Sequence, residues 1–160
     1  MDFDIKSPIL GFEDVTQMTL DKIDDIFMRL SNTNGTAPVF VLINPFALRK
    51  YDFEVPVAME LLLDLKNSKN ILIANIMVMQ TPIQNSTINF LAPLVFNFDN
   101  KTMAQIVLDS FKYPAYGIAE PISKWYKEDE EPSNDDSSDL QKNKTSKDKQ
   151  ESSKKSSKNK

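Results

Sequence analysis

The stretch that decides the fold is residues 70–98, which read NILIANIMVMQTPIQNSTINFLAPLVFNF and carry no formal charge. Pro82, Pro93 and scattered Asn and Gln residues divide it into apolar runs far shorter than the roughly 20 residues that cross a bilayer. Residues 71–79 are apolar apart from Asn75, which predicts a strand covered on both faces. We therefore interpret the stretch as the centre of a soluble fold rather than as a membrane span.

Residues 87–90 and 94–98 are two further predicted strands. Apolar and polar residues nearly alternate in both, which is the period of a strand with one buried face. Pro93 interrupts the pair, and because proline cannot donate a ladder hydrogen bond it indicates a bulge, an edge or a corner. Turn-forming residues at 99–102 lead into a predicted return strand at 103–108. The pattern predicts a mainly β fold with an antiparallel meander at its centre.

The residues before this stretch are predicted to add further strands. Val39–Ile43 is an apolar run that predicts a buried strand, ended by the turn formers Asn44 and Pro45. Residues 19–30 allow two interpretations. Their apolar side chains fall at helical spacing, yet residues 26–30 also fit a strand that leads into a turn.

One short helix is predicted to begin at Pro56. Proline has no backbone N–H, but at the first position of a helix that N–H would have no hydrogen-bond partner, so nothing is lost. Its apolar side chains are expected to form a stripe that faces the core. The stripe consists of Ala58, Leu61, Leu62 and Leu65. Glu60 and Asp64 are expected to share the opposite, exposed side.

Composition divides the chain into residues 1–126, the predicted β domain, and residues 127–160, a charged tail. The tail has almost no apolar side chains, and it is acidic at first and rich in lysine from Leu140 onward. Low hydrophobicity cannot offset the entropy cost of ordering a chain, so the tail is predicted to be disordered. The alternative is an interaction tail whose lysines meet an acidic partner or nucleic acid.

Missing residue types narrow the possible chemistry. The chain has no histidine and no cysteine, which removes the nucleophile systems built on those side chains and the usual zinc ligands. Three scattered glycines form no phosphate-cradling loop. We predict a protein that is not an enzyme and uses no cofactor and no metal. The acidic start, without a signal-peptide pattern, and the lack of cysteine predict a cytoplasmic protein.

Two segments carry side chains suited to contacts with a partner. The first follows the strand Val39–Ile43 and comprises Asn44, Pro45, Phe46 and Tyr51. The second lies on the predicted strand at 87–90 and comprises Ser86, Thr87 and Asn89. The alternative interpretations are a turn whose aromatic residue packs inward and a solvated strand face, because these residue types are common in both.

These segments resemble the flagellar assembly factor FliW family of flagellated bacteria. The resemblance depends on the order and spacing of several pieces over most of residues 5–113. The pieces are Gly11-Phe12-Glu13, residues 39–46 followed by Tyr51, Ser86-Thr87 with Asn89, Ala92-Pro93, and residues 94–97. Leu10 stands where that family's pattern has a proline, and the charged tail is not part of the pattern.

The resemblance implies a compact, barrel-like β fold and a strand at residues 26–30. It also implies a non-enzymatic protein that binds newly made flagellin and the RNA-binding translational repressor CsrA. While flagellin occupies a FliW protein, CsrA is free to repress flagellin mRNA; after flagellin is exported, FliW captures CsrA and relieves the repression. The protein is expected to be a monomer when free and to contact neither nucleic acid nor a membrane.

An acidic neighbour held beside a basic RNA site opposes RNA binding, because that binding depends on neutralising phosphates. The formal net charge of −4 therefore suggests that acids of this protein face CsrA. The candidates are two pairs, Asp24 with Asp25 and Glu60 with Asp64.

Two other functions fit parts of the sequence. A small β-barrel would bind an apolar ligand, although the residues concerned more often fill a core. The proposed lining is Met77, Met79, Phe90, Phe96 and Phe98. A nucleic-acid-binding protein would use the lysines of the tail, but the body is acidic and no aromatic residue lies among those lysines.

Overall fold

The computed structural model describes residues 1–125, which are mainly β. The predicted disorder of residues 127–160 lies outside the described residues, and so does the predicted domain end at residue 126. Nine strands occur within the described range. They are β1 (Asp2–Ser7), β2 (Gln17–Lys22), β3 (Phe27–Asn32), β4 (Val39–Ile43), β5 (Ile71–Val78), β6 (Thr87–Ile88), β7 (Leu94–Asn97), β8 (Thr102–Gln105) and β9 (Glu120–Pro121).

Seven of these strands close into a barrel in the order β1-β2-β3-β4-β5-β7-β8, and β8 pairs back to β1. The seams are antiparallel except the last, where β1 and β8 are parallel with Ile5 beside Met103. An odd number of strands that alternate in direction must meet in the same direction where the ring closes. The short strands β6 and β9 extend from β5. The predicted mainly β, barrel-like fold is confirmed, with one parallel seam.

The barrel interior holds one apolar cluster to which all seven strands contribute. Residues paired across neighbouring strands lie on the same face of a pleated sheet, so pairs such as Leu20 with Leu30 point inward together. Phe3 and Phe96 are fully buried, and their rings meet edge-on with centroids 5.2 Å apart. Side chains rather than solvent fill the middle of the barrel, as is usual for small barrels.

A second apolar cluster, called here the outer layer, covers the outside of β5, β7 and β8. Val95 and Ala104 supply its sheet side, while Tyr51, Leu63 and Ile122 from the connecting segments cover them. All four residues of β7 are therefore buried, and the prediction of one buried face for residues 94–98 is wrong. Polar and apolar residues do nearly alternate in this segment, but the polar residue Asn97 is buried as well.

Residues 19–30, for which both a helix and a strand were considered, form most of the β2–β3 hairpin. β2 and β3 pair in register from Met18 opposite Asn32 to Lys22 opposite Met28, so the helical interpretation is wrong. Asp24 stabilises the turn between them, because its Oδ1 accepts hydrogen bonds from the backbone N–H groups of Ile26 and Phe27 at 2.8 and 2.7 Å.

One short helix, α1 (Val57–Leu62), is present as predicted, but its predicted core stripe is wrong. No residue of α1 is buried, and Leu61 and Leu62 are 72% and 45% exposed. The helix ends at Leu62, and a left-handed backbone at Asp64 (φ 52°) follows. The side chain that enters the core is that of Leu63, just beyond the helix. Within residues 1–125, no helix is long and apolar enough to cross a membrane.

Candidate functional site

The turn after β4 is built around the side chain of Asn44. Its Oδ1 accepts a hydrogen bond from the backbone N–H of Phe46 at 3.1 Å, which begins a 3-10 turn at Pro45–Ala47. Pro45 is buried, whereas the Phe46 ring is 55% exposed and meets Tyr51 edge-on at 6.1 Å. Asn44 and Pro45 shape the turn, and Phe46 presents an aromatic ring to solvent.

Tyr51 is the centre of a polar network within the outer layer. Its hydroxyl donates to the carbonyl oxygen of Phe90 at 2.7 Å and accepts from the Asn75 Nδ2 at 3.2 Å. The Tyr116 ring lies 4.8 Å away. Burial raises the pKa of the Tyr51 hydroxyl well above its usual range, with the hydrogen bond from Asn75 acting in the opposite direction. Tyr51 is therefore a neutral hydrogen-bonding residue of the core.

The second predicted segment joins the same network. Asn75 also donates from Nδ2 to the carbonyl oxygen of Asn89 at 2.8 Å, which links Asn89 to Tyr51 through one side chain. Ser86 is buried, and its Oγ accepts from the backbone N–H of Gln80 at 2.9 Å. Thr87 is half-buried and pairs with Pro121. The structure thus links Tyr51 of the first segment to Asn89 of the second, and polar groups of Tyr51, Asn89 and Ser86 help to hold the fold.

Arg49 is a central residue of this region that the sequence analysis missed. Its guanidinium carbon lies 5.2, 5.0 and 5.2 Å from the ring centroids of Phe90, Tyr116 and Trp125. Its Nη1 is 3.4 Å from a carboxylate oxygen of Glu120. The only signal available was the aromatic closing segment at 113–125, and nothing local connected it to an arginine more than 60 residues earlier.

One acidic pair borders a cavity at the β2–β3 turn. The cavity has a volume of about 330 Å³. Its lining is Leu20, Lys22, Asp24, Asp25, Met28, Asn44, Leu72 and Phe98. Of the residues predicted to contact a partner, Asn44, Asp24 and Asp25 are therefore neighbours. Asp25 is 2.8 Å from Lys22 Nζ, and this hydrogen bond lowers the pKa of the Asp25 carboxyl.

The other acidic pair lies at α1, beside exposed apolar side chains. Glu60 is half-buried with a carboxylate oxygen 3.9 Å from Lys66 Nζ, while Asp64 is exposed and accepts from Asn67 Nδ2 at 2.6 Å. The α1 surface is defined here by Val57, Leu61 and Leu62, which are 67%, 72% and 45% exposed. It combines an apolar centre with an acidic edge, and no sequence pattern indicated it.

The proposed lining for an apolar ligand is not brought together. Phe90 and Phe96 are fully buried in different clusters. Met77 is buried and Met79 is 49% exposed. Only Phe98 borders the cavity at the β2–β3 turn. Residues 1–125 also contain no group of acidic side chains arranged to hold a metal ion.

Comparisons with known proteins identify relatives across this domain. A family model described as "FliW protein" matches residues 2–122. The chain is 59% identical over 132 residues to "Flagellar assembly factor FliW 2" of Wolinella succinogenes, covering 82% of this chain and 97% of that protein. It is 50% identical over 127 residues to "Flagellar assembly factor FliW" of Sulfurimonas denitrificans, covering 79% of this chain and 99% of that protein.

A solved structure shares the fold. It is described as a crystal structure of the flagellar assembly factor FliW, and it matches with a TM-score of 0.69 over 80% of this chain and 87% of that chain. The two sequences are 22% identical, so this likeness concerns the fold alone.

Proposed function

The chain belongs to the FliW family, and on that premise we propose that it is a non-enzymatic flagellar assembly factor that acts in the cytoplasm. Its proposed partners are flagellin and the translational repressor CsrA, which it binds in turn. The observation that carries the proposal is the 59% identity to a protein named as a flagellar assembly factor, over 97% of that protein's length. The identity spans the whole β domain rather than one motif.

Partner switching is the proposed mechanism. Flagellin that accumulates before export occupies this protein and leaves CsrA free to repress flagellin mRNA. Once flagellin is exported, the vacated protein captures CsrA, and translation resumes. This cycle requires that the two partners exclude each other, either on one surface or through two coupled surfaces.

The α1 surface supports a role in protein binding. Exposed apolar side chains that stand together and are edged by polar groups are typical of protein interaction sites. Leu61 is the most exposed of the three residues, at 72%. An apolar contact centred on Leu61 would place Asp64 beside the partner, where a carboxylate favours a basic protein such as an RNA-binding repressor.

The two acidic pairs, Asp24 with Asp25 and Glu60 with Asp64, could oppose RNA binding by CsrA without occupying the RNA site of CsrA. A carboxylate held next to a basic RNA-binding surface weakens the attraction for phosphates, and the effect falls as salt screens it. Asp25 and Asp64 are both exposed, so either pair is available to a bound CsrA. Neutralising the pair that faces CsrA should reduce RNA displacement more than it reduces association.

A competition experiment with purified proteins tests the proposal. CsrA bound to this protein should be released when flagellin is added, and a labelled flagellin mRNA leader should then rebind CsrA. If neither flagellin nor CsrA binds at low or moderate salt, the proposal is wrong. If both bind at once without mutual effect, partner switching is wrong although a binding role remains.

A substitution at α1 tests whether that surface is used. Leu61→Ala should weaken binding of at least one partner by about fivefold or more, the effect of losing roughly 1 kcal/mol of contact. Val39→Ala is the matched control, because Val39 is also exposed, at 62%, but lies on β4. Equal binding by both variants and the unchanged protein would exclude the α1 surface.

A further inference from the structure

The cavity at the β2–β3 turn exists because one barrel seam is short. β4 pairs with β5 only from Val41 opposite Met77 to Ile43 opposite Asn75. Beyond that point β4 ends in the Asn44 turn, whereas β5 continues back to Ile71. Leu72, in the part of β5 that β4 does not cover, lines the cavity. The opening is therefore part of the barrel's construction.

The inner wall of the cavity is apolar. Leu20 comes from β2, Met28 from β3 and Leu72 from β5, and Phe98 follows β7. All four belong to or pack against the barrel interior cluster, so the wall is held by the core of the protein. A volume of about 330 Å³ is large enough for one bulky apolar side chain and its neighbouring backbone.

The rim of the cavity carries a net negative charge. It holds two carboxylates, Asp24 and Asp25, against a single cation, Lys22. Lys22 is already paired with Asp25 at 2.8 Å, and one oxygen of Asp24 is used by the turn. The hydrogen bond from Lys22 lowers the pKa of the Asp25 carboxyl, so the paired state of this carboxylate is its charged form. A ligand that enters here meets an uncompensated carboxylate at the edge of an apolar wall.

We propose that this cavity binds a protein segment in which a bulky apolar side chain is flanked by lysine or arginine. The apolar side chain fills the space between Leu72 and Phe98, where it gains dispersion contacts and leaves water. The flanking cation approaches Asp24 and Asp25, whose charge complements it. The inference concerns the chemistry of the cavity and does not depend on the partners proposed above.

Two capped tripeptides test the proposal directly. Lysine–phenylalanine–lysine should shift the methyl NMR signals of Leu20, Met28 and Leu72 at millimolar concentration. Glutamate–phenylalanine–glutamate should bind about two- to fivefold more weakly, the range expected for exposed ion pairs, and the difference should shrink at high salt. Absence of shifts with both peptides, or equal affinity for both, would overturn the proposal.

Variants locate the site and separate its two parts. Leu72→Phe should abolish the shifts by filling the cavity, with an unchanged melting temperature showing that the barrel is intact. Asp25→Asn should reduce the preference for the basic peptide while the apolar contact persists, and Asp14→Asn, also at an exposed acid, should have no effect. Binding that persists in Leu72→Phe would place the peptide elsewhere and overturn the proposal. If Leu72→Phe does not fold, an unchanged peptide preference in Asp25→Asn overturns it instead.

Discussion

The barrel interior and the outer layer are both buried, but they are held together in different ways. The interior is an apolar cluster enclosed by seven strands, and it contains Phe3 and Phe96 at its centre. The outer layer contains hydrogen bonds and a cation as well as rings, with Tyr51 and Arg49 as its centres. The stability of the interior therefore depends on how completely apolar side chains fill its volume. The stability of the outer layer depends on specific contacts between residues that are distant in the chain.

This difference has a consequence for where change is tolerated. An apolar interior tolerates substitutions that conserve its total volume and its pattern of apolar positions. A buried polar network has no such freedom, because each member that loses its partner is left unsatisfied. The comparison predicts large losses from cavities in the interior and smaller, residue-specific losses in the outer layer.

The largest effect is expected from Phe96→Ala in the interior. Removing this fully buried ring should lower the free energy of unfolding by about 3–5 kcal/mol, because it leaves a cavity in a packed interior that relaxes only partially. Urea denaturation measures the loss. Leu10→Ala, at a residue that is 62% exposed, serves as the control and should change stability by no more than about 0.5 kcal/mol. Similar stability of the two variants would contradict a filled interior.

Tyr51→Phe should have the next largest effect. It removes a hydroxyl that bonds Phe90 at 2.7 Å and Asn75 at 3.2 Å while keeping the ring, so the expected loss is about 1–3 kcal/mol. Tyr113→Phe is the matched control, because its hydroxyl accepts one bond from the backbone N–H of Glu54 in a more exposed place. A loss in Tyr113→Phe as large as that in Tyr51→Phe would show that the network around Asn75 adds nothing.

Arg49→Met tests the cation of the outer layer. It removes a guanidinium that faces three rings and pairs with Glu120, and the expected loss is about 1–2 kcal/mol. Arg29→Met is the control, because Arg29 forms an exposed pair with Asp21 at 3.0 Å, worth at most about 1 kcal/mol. Chemical denaturation measures the loss of unfolding free energy in both variants. A larger loss in Arg29→Met than in Arg49→Met would contradict a stabilising role for the Arg49 guanidinium.

The smallest effect is expected from Asp99, an exposed acid that accepts hydrogen bonds from the residues just before β5. Hydrogen bonds from the Asn70 side chain, and from the backbone N–H groups of Lys69 and Asn70, lower the pKa of Asp99. A carboxyl whose pKa is lowered by folding adds stability above its unfolded pKa, and this contribution is lost as the pH falls through the folded value.

Asp99→Asn should therefore flatten the acid side of the stability profile. The urea midpoint of the unchanged protein should fall more steeply than that of the variant between about pH 5 and pH 2. Asp14→Asn is the control for removing an exposed acid. Parallel profiles for the Asp99→Asn variant and the unchanged protein would show that these hydrogen bonds do not discriminate between the protonation states of Asp99.

Local patterns predicted several elements correctly. The apolar runs at 39–43 and 71–79 were predicted as strands and became β4 and β5, and Asn44 with Pro45 ended β4 as turn formers do. Their prediction as fully covered strands is wrong at the ends, because Val39, Ile71 and Val78 are exposed. The helix after Pro56 was also predicted, but its inward side was not. The stripe assumed a helix that continued to Leu65, whereas α1 stops at Leu62. Leu61 and Leu62 are exposed within α1, and the leucine that enters the core is Leu63, just after the helix.

The sequence by itself determined the strands β4, β5 and β7 and the turn at Asn44 and Pro45, because those properties are encoded within about ten neighbouring residues. Composition alone showed which catalytic side chains are missing. The strand β1 was not predicted, and residues 19–30 were left open between helix and strand. Only the tertiary structure decided the parallel seam between β1 and β8, the place of Arg49 among three rings, and the cavity beside Asp25. Each of these joins residues far apart in the chain. A periodic pattern indicates that a side chain will be buried, but the closed barrel as a whole determines which residue packs over it.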